Sequence, residues 1–305
     1  MELNDFLPDR SAPLNTAVVN GMIVHGDFHL ITADDIRAIF RSRDLFSHKG
    51  TYGHALIIAG APATMGAALL SAEGCLHAGA GLTTAAIPET GLMALNTLLP
   101  EVMYIARADL KAEALEKYNA IAAGPGMTLS SGISKTDLEL MQTLTALKQP
   151  LVLDAEGLNF LAANKRLLQS LPGNSVLTPH VKEFDRLFGK HATWWERLLT
   201  AREMARELKI VIVLKNQYTL IAVPEDGVFI NPTGNPAMAQ GGMGDVLTGI
   251  IAAYIAQGYE PAQASVLGCY FHGRAGDELA GKRFNVSASR VAARLPKTVR
   301  KFLDK

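Results

Sequence analysis

The chain has 305 residues, of which 49% are hydrophobic, and its 29 lysines and arginines balance its 29 aspartates and glutamates. This length and apolar content allow one large domain or two small ones, with a sizeable buried core. A net charge of zero argues against a nucleic-acid-binding protein with a basic face.

The first 28 residues lack clear periodicity, and we predict that they form an extended arm or a disordered leader. Their first ten residues, MELNDFLPDR, are acidic and polar, unlike a secretory leader. From Thr32, the segment TADDIRAIFRSRD has a capping residue, early acids and apolar residues at helical spacing, which predicts a helix. No linker divides the remainder, so we predict a single domain over residues 29–305.

Beyond that helix, short apolar runs alternate with helix-length segments. The runs are HALIIAG, GLTTAAIPE, YNAIAAG, PLVLDAE, NSVLTP, IVIVLKN, TLIAVPE and VFINP. Their alternation predicts an α/β fold with a mainly parallel central sheet covered by helices on both faces. The PEDG turn between the last two runs predicts one hairpin at the edge. The uncharged run from Ala55, ALIIAGAPATMGAALLSA, is interrupted by glycine, proline and threonine, which favours a glycine-rich turn over a membrane span.

The segments that follow the predicted strands are rich in glycine and small polar residues. They are GAPATMGA, GPGM, DAEGLN, TPHVKEF, KNQYT and GNPAMAQGGMGD. In open α/β sheets, ligands bind at the carboxyl ends of the strands. The sequence therefore predicts a nucleotide cleft at that end of the sheet.

The segment GGMGD, residues 241–245, has two interpretations. Its backbone N–H groups, with the N-terminus of the helix that follows, suit an anion. Asp245 beside a bound phosphate could then accept a proton from a hydroxyl that attacks phosphorus. Alternatively, Asp245 caps the helix after an ordinary turn. The motif alone does not decide between the two.

Three other strand ends carry candidate side chains. Lys215 in KNQYT could reach a phosphate, or it could be a surface lysine in a turn. His180 in TPHVKEF could bind a polar group of a substrate, while Thr178 caps a helix. Asp154 in DAEGLN could hold a magnesium ion through water or a substrate hydroxyl, or it could cap a helix.

Several common sites do not fit the sequence. GAPATMGA lacks the GK[ST] ending of a P-loop, and GPGM lacks the third glycine of a dinucleotide fingerprint. Cys269 and His272 supply two possible metal ligands, which do not make a site, so we predict no metal site built by protein side chains. Cys75 and Cys269 match no redox spacing, and we expect a reducing cytoplasm.

The order of these motifs is more specific than any one of them. The succession HKGTYGHALIIAGAPATMGAALLSA, GPGM, LVLDAEGLN, LTPHVKEF, IVIVLKNQYTLIA and NPTGNPAMAQGGMGDVLTGI strongly resembles the ADP/ATP-dependent NAD(P)H-hydrate dehydratases. The resemblance runs from about His48 to about Arg300. It implies the three-layer ribokinase-like fold.

The resemblance also implies an activity. Enzymes of this family are hydro-lyases that repair nicotinamide cofactors by converting the hydrates NADHX and NADPHX back to NADH and NADPH. The hydrate hydroxyl is phosphorylated, and phosphate then leaves as the ring double bond returns. The implied co-substrate is ADP, converted to AMP, or ATP, with Mg²⁺ assisting. Related proteins are often tetramers, so a homo-oligomer is expected.

Residue by residue, the resemblance implies that Asp245 contacts the hydrate and acts as the base. The expected hydrate-binding residues are Ala67, Gly126, His180, Asp154 and Asp245, and the expected nucleotide-binding residues are Lys215, Asn216, Gln217, Tyr218, Thr219 and Gly244. Two positions depart from the family pattern. Asn216 stands where family members often have glycine. If the position needs a positive φ, asparagine is the residue that tolerates it best after glycine. Gly157 replaces a frequent alanine.

Two other functions stay open at this point. A small-molecule kinase of the same superfamily, acting on a thiazole or pyrimidine alcohol, would also need an aspartate beside a reacting phosphate. A nucleotide-binding regulator without turnover would not need that carboxylate, because its charge repels phosphate. We expect no nucleic-acid or membrane partner for any of the three.

Overall fold

The structure is a computed structural model that describes residues 28–127, 134–225 and 227–304, together with the backbone of two strands at 16–19 and 22–25. The remainder of the predicted leader lies outside the described residues. Within the described chain, none of the helices is both long and apolar enough to cross a bilayer.

The described strands form a small hairpin and a large sheet. In chain order they are β1 Thr16–Val19, β2 Met22–His25, β3 Phe28–Leu30, β4 His54–Ile58, β5 Leu82–Ile87, β6 Met103–Ala106, β7 Ala120–Ala123, β8 Leu151–Leu153, β9 Val176–Leu177, β10 Val211–Leu214, β11 Thr219–Val223 and β12 Gly227–Asn231. β1 and β2 pair with each other, and the other ten form one sheet in the order β3-β12-β11-β10-β9-β8-β7-β4-β5-β6. Among the described strands of this sheet, β11 alone runs against the others. The mainly parallel sheet predicted from the sequence is therefore confirmed.

The predicted hairpin strands pair as β11–β12, but they do not form the outermost pair of strands. β3 pairs in parallel with β12 and takes the edge position, with Phe28 opposite Val228. The predicted boundary between arm and domain at residues 28 and 29 thus runs through an edge strand. The sequence signal was weak because β3 has only three residues.

Helices cover both faces of the sheet. In chain order they are α1 Ala33–Ile39, α2 Met65–His77, α3 Leu92–Leu98, α4 Ala112–Leu115, α5 Lys135–Thr145, α6 Glu156–Ala163, α7 Lys165–Leu168, α8 Val181–Phe188, α9 Trp194–Leu208, α10 Met243–Ala256, α11 Pro261–Ala280 and α12 Ala288–Leu303. β4 shows the two faces, since Ala55 and Ile57 join the core under α2 and α10 while Leu56 and Ile58 join the core under α5 and α6. This alternation follows from the two-residue period of a strand. The predicted α/β architecture of three layers is confirmed.

Two glycines set the position of α10 against α2. A Cβ atom on Gly249 would lie 1.9 Å from the carbonyl oxygen of Ser71, and one on Gly74 would lie 2.4 Å from that of Val246. Any larger residue would therefore push the two helices apart. Because α10 begins directly after the GGMGD segment, this close packing fixes where Asp245 stands.

Candidate active site

The centre of the site is Asp154, which follows β8 and is 2% exposed. Its Oδ1 accepts hydrogen bonds from Lys215 Nζ at 2.7 Å and from the backbone N–H of Ala155 at 2.9 Å. Its Oδ2 accepts from the hydroxyl of Thr248 at 2.9 Å. Burial alone would raise the pKa of Asp154, but Lys215 and these donors outweigh it and hold the pKa below its usual value.

This arrangement gives Asp154 a structural role. Its Oδ1 accepts two hydrogen bonds from the protein, whereas Oδ2 accepts one and can still accept a second from a substrate hydroxyl. Asp154 does not provide the N-cap of α6, which is Ala155. It ties Lys215 of one strand end to Thr248 of α10.

A strained turn holds Asp154 in place. Ala155 has φ 47° and ψ −113°, and the N–H of Gly157 donates to the carbonyl of Asp154 at 2.9 Å. These are the features of a type II′ turn, whose second residue is usually glycine. Gly124 makes room beside it, since a Cβ atom there would lie 1.9 Å from the Asp154 carbonyl oxygen. Residues held in such conformations cluster at functional sites.

Lys215 also lines a cavity of about 270 Å³ between β10–β11, the loop after β12, and the helices α10 and α11. Its lining residues are Lys215, Asn216, Gln217, Thr219, Asn231, Thr233, Gly234, Asn235, Pro236, Met238, Ala239, Met243, Gly244, Leu247, Cys269, His272 and Gly273. The set includes five of the six residues predicted to contact the nucleotide. The sixth, Tyr218, packs instead against the core on the opposite face of the sheet. Asn216 does not have a positive φ, so its replacement of glycine needs no special conformation.

Gly244 joins this cavity to the Asp154 cluster. A Cβ atom on Gly244 would lie 3.0 Å from Lys215 Nζ and 3.4 Å from Asp154 Oδ2. The glycine therefore leaves open space in front of the ammonium group. Glycine at this position allows a ligand in the cavity to approach both Lys215 and the N-terminus of α10.

Asp245 is the third residue of α10, and Gly242 forms the N-cap without a side-chain hydrogen bond. Asp245 therefore does not cap the helix. Its side chain is part-buried, and burial together with the negative charge of Asp154 raises its pKa to about 7, although Lys215 opposes the shift. A carboxylate with a pKa near neutrality suits a general base.

His180 is the N-cap residue of α8, a role that the sequence predicted for Thr178. Its Nδ1 accepts from the N–H groups of Lys182 and Glu183, while Glu183 accepts from the His180 N–H at 2.9 Å. The hydroxyl of Thr178 instead donates to the carbonyl of Leu153. The His180 imidazole is half exposed. The backbones of His180 and Lys215 form a β-bridge, which places the histidine beside the Asp154 cluster.

Ala67 and Gly126 come together at the neighbouring strand ends. A Cβ atom on Gly126, which has φ +62°, would lie 2.8 Å from that of Ala67. The hydroxyl of Thr64 donates to the carbonyl of Gly126 at 2.6 Å. Two loops predicted as parts of one ligand pocket are thus in direct contact.

Sequence reasoning missed two supporting residues. Thr248 is one helical turn after Asp245, and its polar side chain in the apolar segment DVLTGII was the available signal. Arg107 lies in none of the sequence motifs, so no sequence signal pointed to it. Its guanidinium pairs with buried Asp137 at 2.9 Å and donates to the carbonyls of Ala59 and Gly60, which holds the loop that leads to Ala67.

Comparison with known proteins agrees with this geometry. Residues 55–297 match the family described as NAD(P)H-hydrate dehydratase. The chain belongs to this family. The resemblance read from the order of the motifs is therefore confirmed, and the family is favoured over the small-molecule kinases of the same superfamily.

Individual relatives of this NAD(P)H-hydrate dehydratase family are also similar. A bifunctional NAD(P)H-hydrate repair enzyme, Nnr, from Moorella thermoacetica is 42% identical over 85% of this chain and 51% of its own length. An ADP-dependent (S)-NAD(P)H-hydrate dehydratase from Bacillus subtilis is 37% identical over 79% of this chain and 86% of its own. The chain thus spans about half the length of the bifunctional relatives that it matches.

Solved structures confirm the ribokinase-like fold. The Bacillus subtilis ADP/ATP-dependent NAD(P)H-hydrate dehydratase, co-crystallised with ATP and Mg²⁺, has a TM-score of 0.79 and 32% identity. The match covers 90% of this chain and 98% of that one. A protein of the ribokinase-like superfamily matches as well.

Proposed function

We propose that this chain uses a nucleotide to dehydrate NADHX and NADPHX to NADH and NADPH. The observation that carries the proposal is Asp245, a carboxylate with a raised pKa at the N-terminus of α10, next to the Gly244 opening of the cavity. Family membership adds that a related enzyme is an ADP-dependent (S)-NAD(P)H-hydrate dehydratase. We therefore propose the (S) hydrate as substrate and ADP, converted to AMP, as phosphoryl donor.

The nucleotide would occupy the cavity with its phosphates toward Lys215 and Gly244. Support comes from the N-terminus of α10, whose unpaired N–H groups attract anions. Lys215 supplies positive charge at the same place and so favours phosphate binding. The nearby carboxylates of Asp154, Glu183 and Asp245 have the opposite effect, because their negative charge repels phosphate. Lys215 offsets part of this repulsion.

The hydrate would lie against Ala67, Gly126, His180 and Asp154, with its hydroxyl beside Asp245. Asp245 takes the proton of the hydrate hydroxyl as its oxygen attacks the terminal phosphorus of ADP, and AMP departs with the electrons of the broken P–O bond. The C–O bond then breaks with its electron pair on phosphate, and loss of a proton from the neighbouring ring carbon restores the double bond. Phosphorylation matters because hydroxide is a poor leaving group.

Mg²⁺ would bind this site together with the nucleotide, coordinated mainly by its phosphates. Within the described chain, no group of three or more His, Cys, Asp or Glu side chains is arranged to hold a metal ion. Asp154 already accepts three hydrogen bonds from the protein, so Asp245, next to Gly244 of the cavity lining, is the better candidate carboxylate. Mg²⁺ is often held by substrate phosphates, waters and one carboxylate. When bound there, it would neutralise charge on the transferred phosphoryl group.

The decisive variant is Asp245→Asn. If Asp245 is the base, this variant keeps its affinity for ADP, measured by calorimetry, and loses about 10²-fold or more in kcat. The assay follows the return of reduced-nicotinamide absorbance from freshly made hydrate with ADP and Mg²⁺. Near-normal turnover in Asp245→Asn would refute the role of base. A stable phosphorylated product in the wild-type reaction would instead favour the kinase alternative.

The remaining expectations complete the proposal. We propose that residues 29–305 act as one catalytic domain in the cytoplasm and that ATP can replace ADP. We also propose a homo-oligomer. The exposed apolar side chains Met93, Leu98 and Met103 on α3 and edge strand β6 are compatible with a subunit contact.

A further inference from the structure

The wall of the nucleotide cavity formed by α11 contains one polar group whose hydrogen bonding is incomplete. His272 lines the cavity and is 8% exposed. Its Nε2 is buried and has no hydrogen-bond partner within the described residues. Leaving a buried polar atom unpaired is costly, so such a group in a native protein needs an explanation.

The polar side chains around His272 are partnered. The amide of Asn231 donates to the carbonyls of Thr233 and Cys269, and the hydroxyl of Thr233 donates to the carbonyl of Tyr270 at 2.9 Å. On the next turn of α11, Asp277 accepts from Gly234 N–H and from the side chain of Asn235. His272 therefore differs from its neighbours, which complete the wall among themselves.

The packing of this wall keeps His272 against the cavity. A Cβ atom on Gly273 would lie 2.3 Å from the Thr233 hydroxyl, so the loop after β12 lies directly on α11 beside the histidine. Burial, together with the positive charge of Lys215, lowers the pKa of His272 to about 4. The imidazole is therefore neutral at physiological pH, with one N–H donor and one acceptor nitrogen.

We propose that His272 is a specificity-determining residue that hydrogen-bonds an uncharged polar group of the bound nucleoside. A neutral imidazole suits a ribose hydroxyl or a purine edge, whereas phosphate is better matched by Lys215 and the N-terminus of α10. Because Nε2 is itself buried, the bond requires the imidazole to turn toward the cavity when the nucleotide binds, and side-chain changes of this kind are common on binding. This proposal rests on the proposed function, because it requires an adenine nucleotide in the cavity.

The test is calorimetric binding of ADP to the wild type and to His272→Phe, with turnover assays on both. We expect the Kd and KM for ADP to rise about tenfold in His272→Phe, because one hydrogen bond is lost, while the KM for the hydrate stays within about twofold. His272→Gln retains a donor and an acceptor, and it should restore most of the affinity. If His272→Phe does not fold, His272→Leu replaces it in every comparison, because leucine also lacks a hydrogen-bonding group.

Analogues locate the bonded group. The probes are ADP, 2′-deoxy-ADP and inosine diphosphate. If the bond is to the ribose, 2′-deoxy-ADP binds the wild type about tenfold more weakly than ADP, and this ratio falls to near one in His272→Phe. If it is to the base, inosine diphosphate behaves in this way. Equal ratios in wild type and His272→Phe for both analogues, together with an unchanged Kd for ADP in His272→Phe, would overturn the proposal.

The matched control is His77→Phe. His77 of α2 also has a buried ring nitrogen, Nδ1, without a partner in the described chain, and it lies outside the cavity lining. We expect its substitution to change thermal stability but not the Kd for ADP. A wild type that fails to bind ADP would refute the nucleotide site itself. Tight ADP binding that is the same in His272→Phe would refute the role of His272 alone.

Discussion

The substitution Lys215→Met tests whether Lys215 compensates the charge of Asp154. Lys215 Nζ lies 2.7 Å from an Asp154 oxygen, and the side chains are 20% and 3% exposed. Removing one partner of a buried ion pair costs about 3–5 kcal/mol, because a charge is left in the interior without compensation. Lys215 keeps some solvent contact, so we expect a loss near the lower value, about 3 kcal/mol. For a chain of 305 residues, that lowers Tm by roughly 5 °C.

The pH dependence of this loss has a definite sign. In the wild type, the folded pKa of Asp154 is lowered, so its stabilising contribution is present above the unfolded pKa and is lost as pH falls through the folded value. Without Lys215, burial raises the pKa of Asp154 above its unfolded value instead. The destabilisation of Lys215→Met should then be largest at neutral pH and should shrink on acidification, as Asp154 takes up a proton.

The assay is thermal unfolding without nucleotide across a series of pH values, with Lys135→Met as the control. Lys135 pairs with Glu139 at 3.8 Å, with side chains 89% and 62% exposed. Such an exposed pair contributes no more than about 0.5 kcal/mol. The double variant Asp154→Asn/Lys215→Met should recover part of the lost stability. A Lys215→Met protein that melts within about 2 °C of wild type at neutral pH would refute the reasoning, as would a deficit that does not change with pH.

Two further predictions concern the reaction. Asp245 must be ionised to act as a base, and its pKa is raised to about 7, so kcat/KM for the hydrate should fall about tenfold per pH unit below pH 7 and level off above it. In Asp154→Asn this fall should begin at a lower pH, because the negative charge of Asp154 raises the pKa of Asp245. An unshifted pH-rate profile would contradict the electrostatic coupling between Asp154 and Asp245. Gly126→Ala should raise KM for the hydrate on the order of tenfold without changing the affinity for ADP. Residue 126 has φ +62°, and the added Cβ atom would lie 2.8 Å from that of Ala67. The control is Gly173→Ala, whose Cβ atom would have no atom within 4 Å, and equal KM values for the two variants would contradict the proposed hydrate pocket.

The sequence carried most of the fold because the predicted strands are apolar runs and turn residues separate them. β10, for example, is VIVL with every residue buried. The elements that it missed lack that signal. β6 is only part-buried at the far edge of the sheet, and β3 is three residues long. Their strand conformation depends on pairing with β5 and β12, and such tertiary pairing is not visible in a local pattern.

The candidate site was predictable where one motif contains the whole feature. GGMGD places Asp245 at a helix start, and KNQYT places Lys215 at a strand end. The role of Asp154 was not predictable, because it depends on Lys215 and Thr248, which lie 61 and 94 residues further along the chain. The same limit applies to His272, whose environment is formed by the loop after β12. Long-range hydrogen bonds of this kind require the folded chain.

The type II′ turn at Ala155 matters for any attempt to make this protein more heat-resistant. Glycine at that position would relieve a backbone conformation that costs an L-residue about 1–3 kcal/mol, and stability-guided engineering would therefore select Ala155→Gly. Glycine also increases the freedom of the unfolded chain and of the turn itself, which offsets part of the gain and loosens the carboxylate next to it. Ala155→Gly can therefore raise thermal stability while it makes the position of Asp154 less fixed. Variants at residue 155 should be tested for both thermal stability and activity.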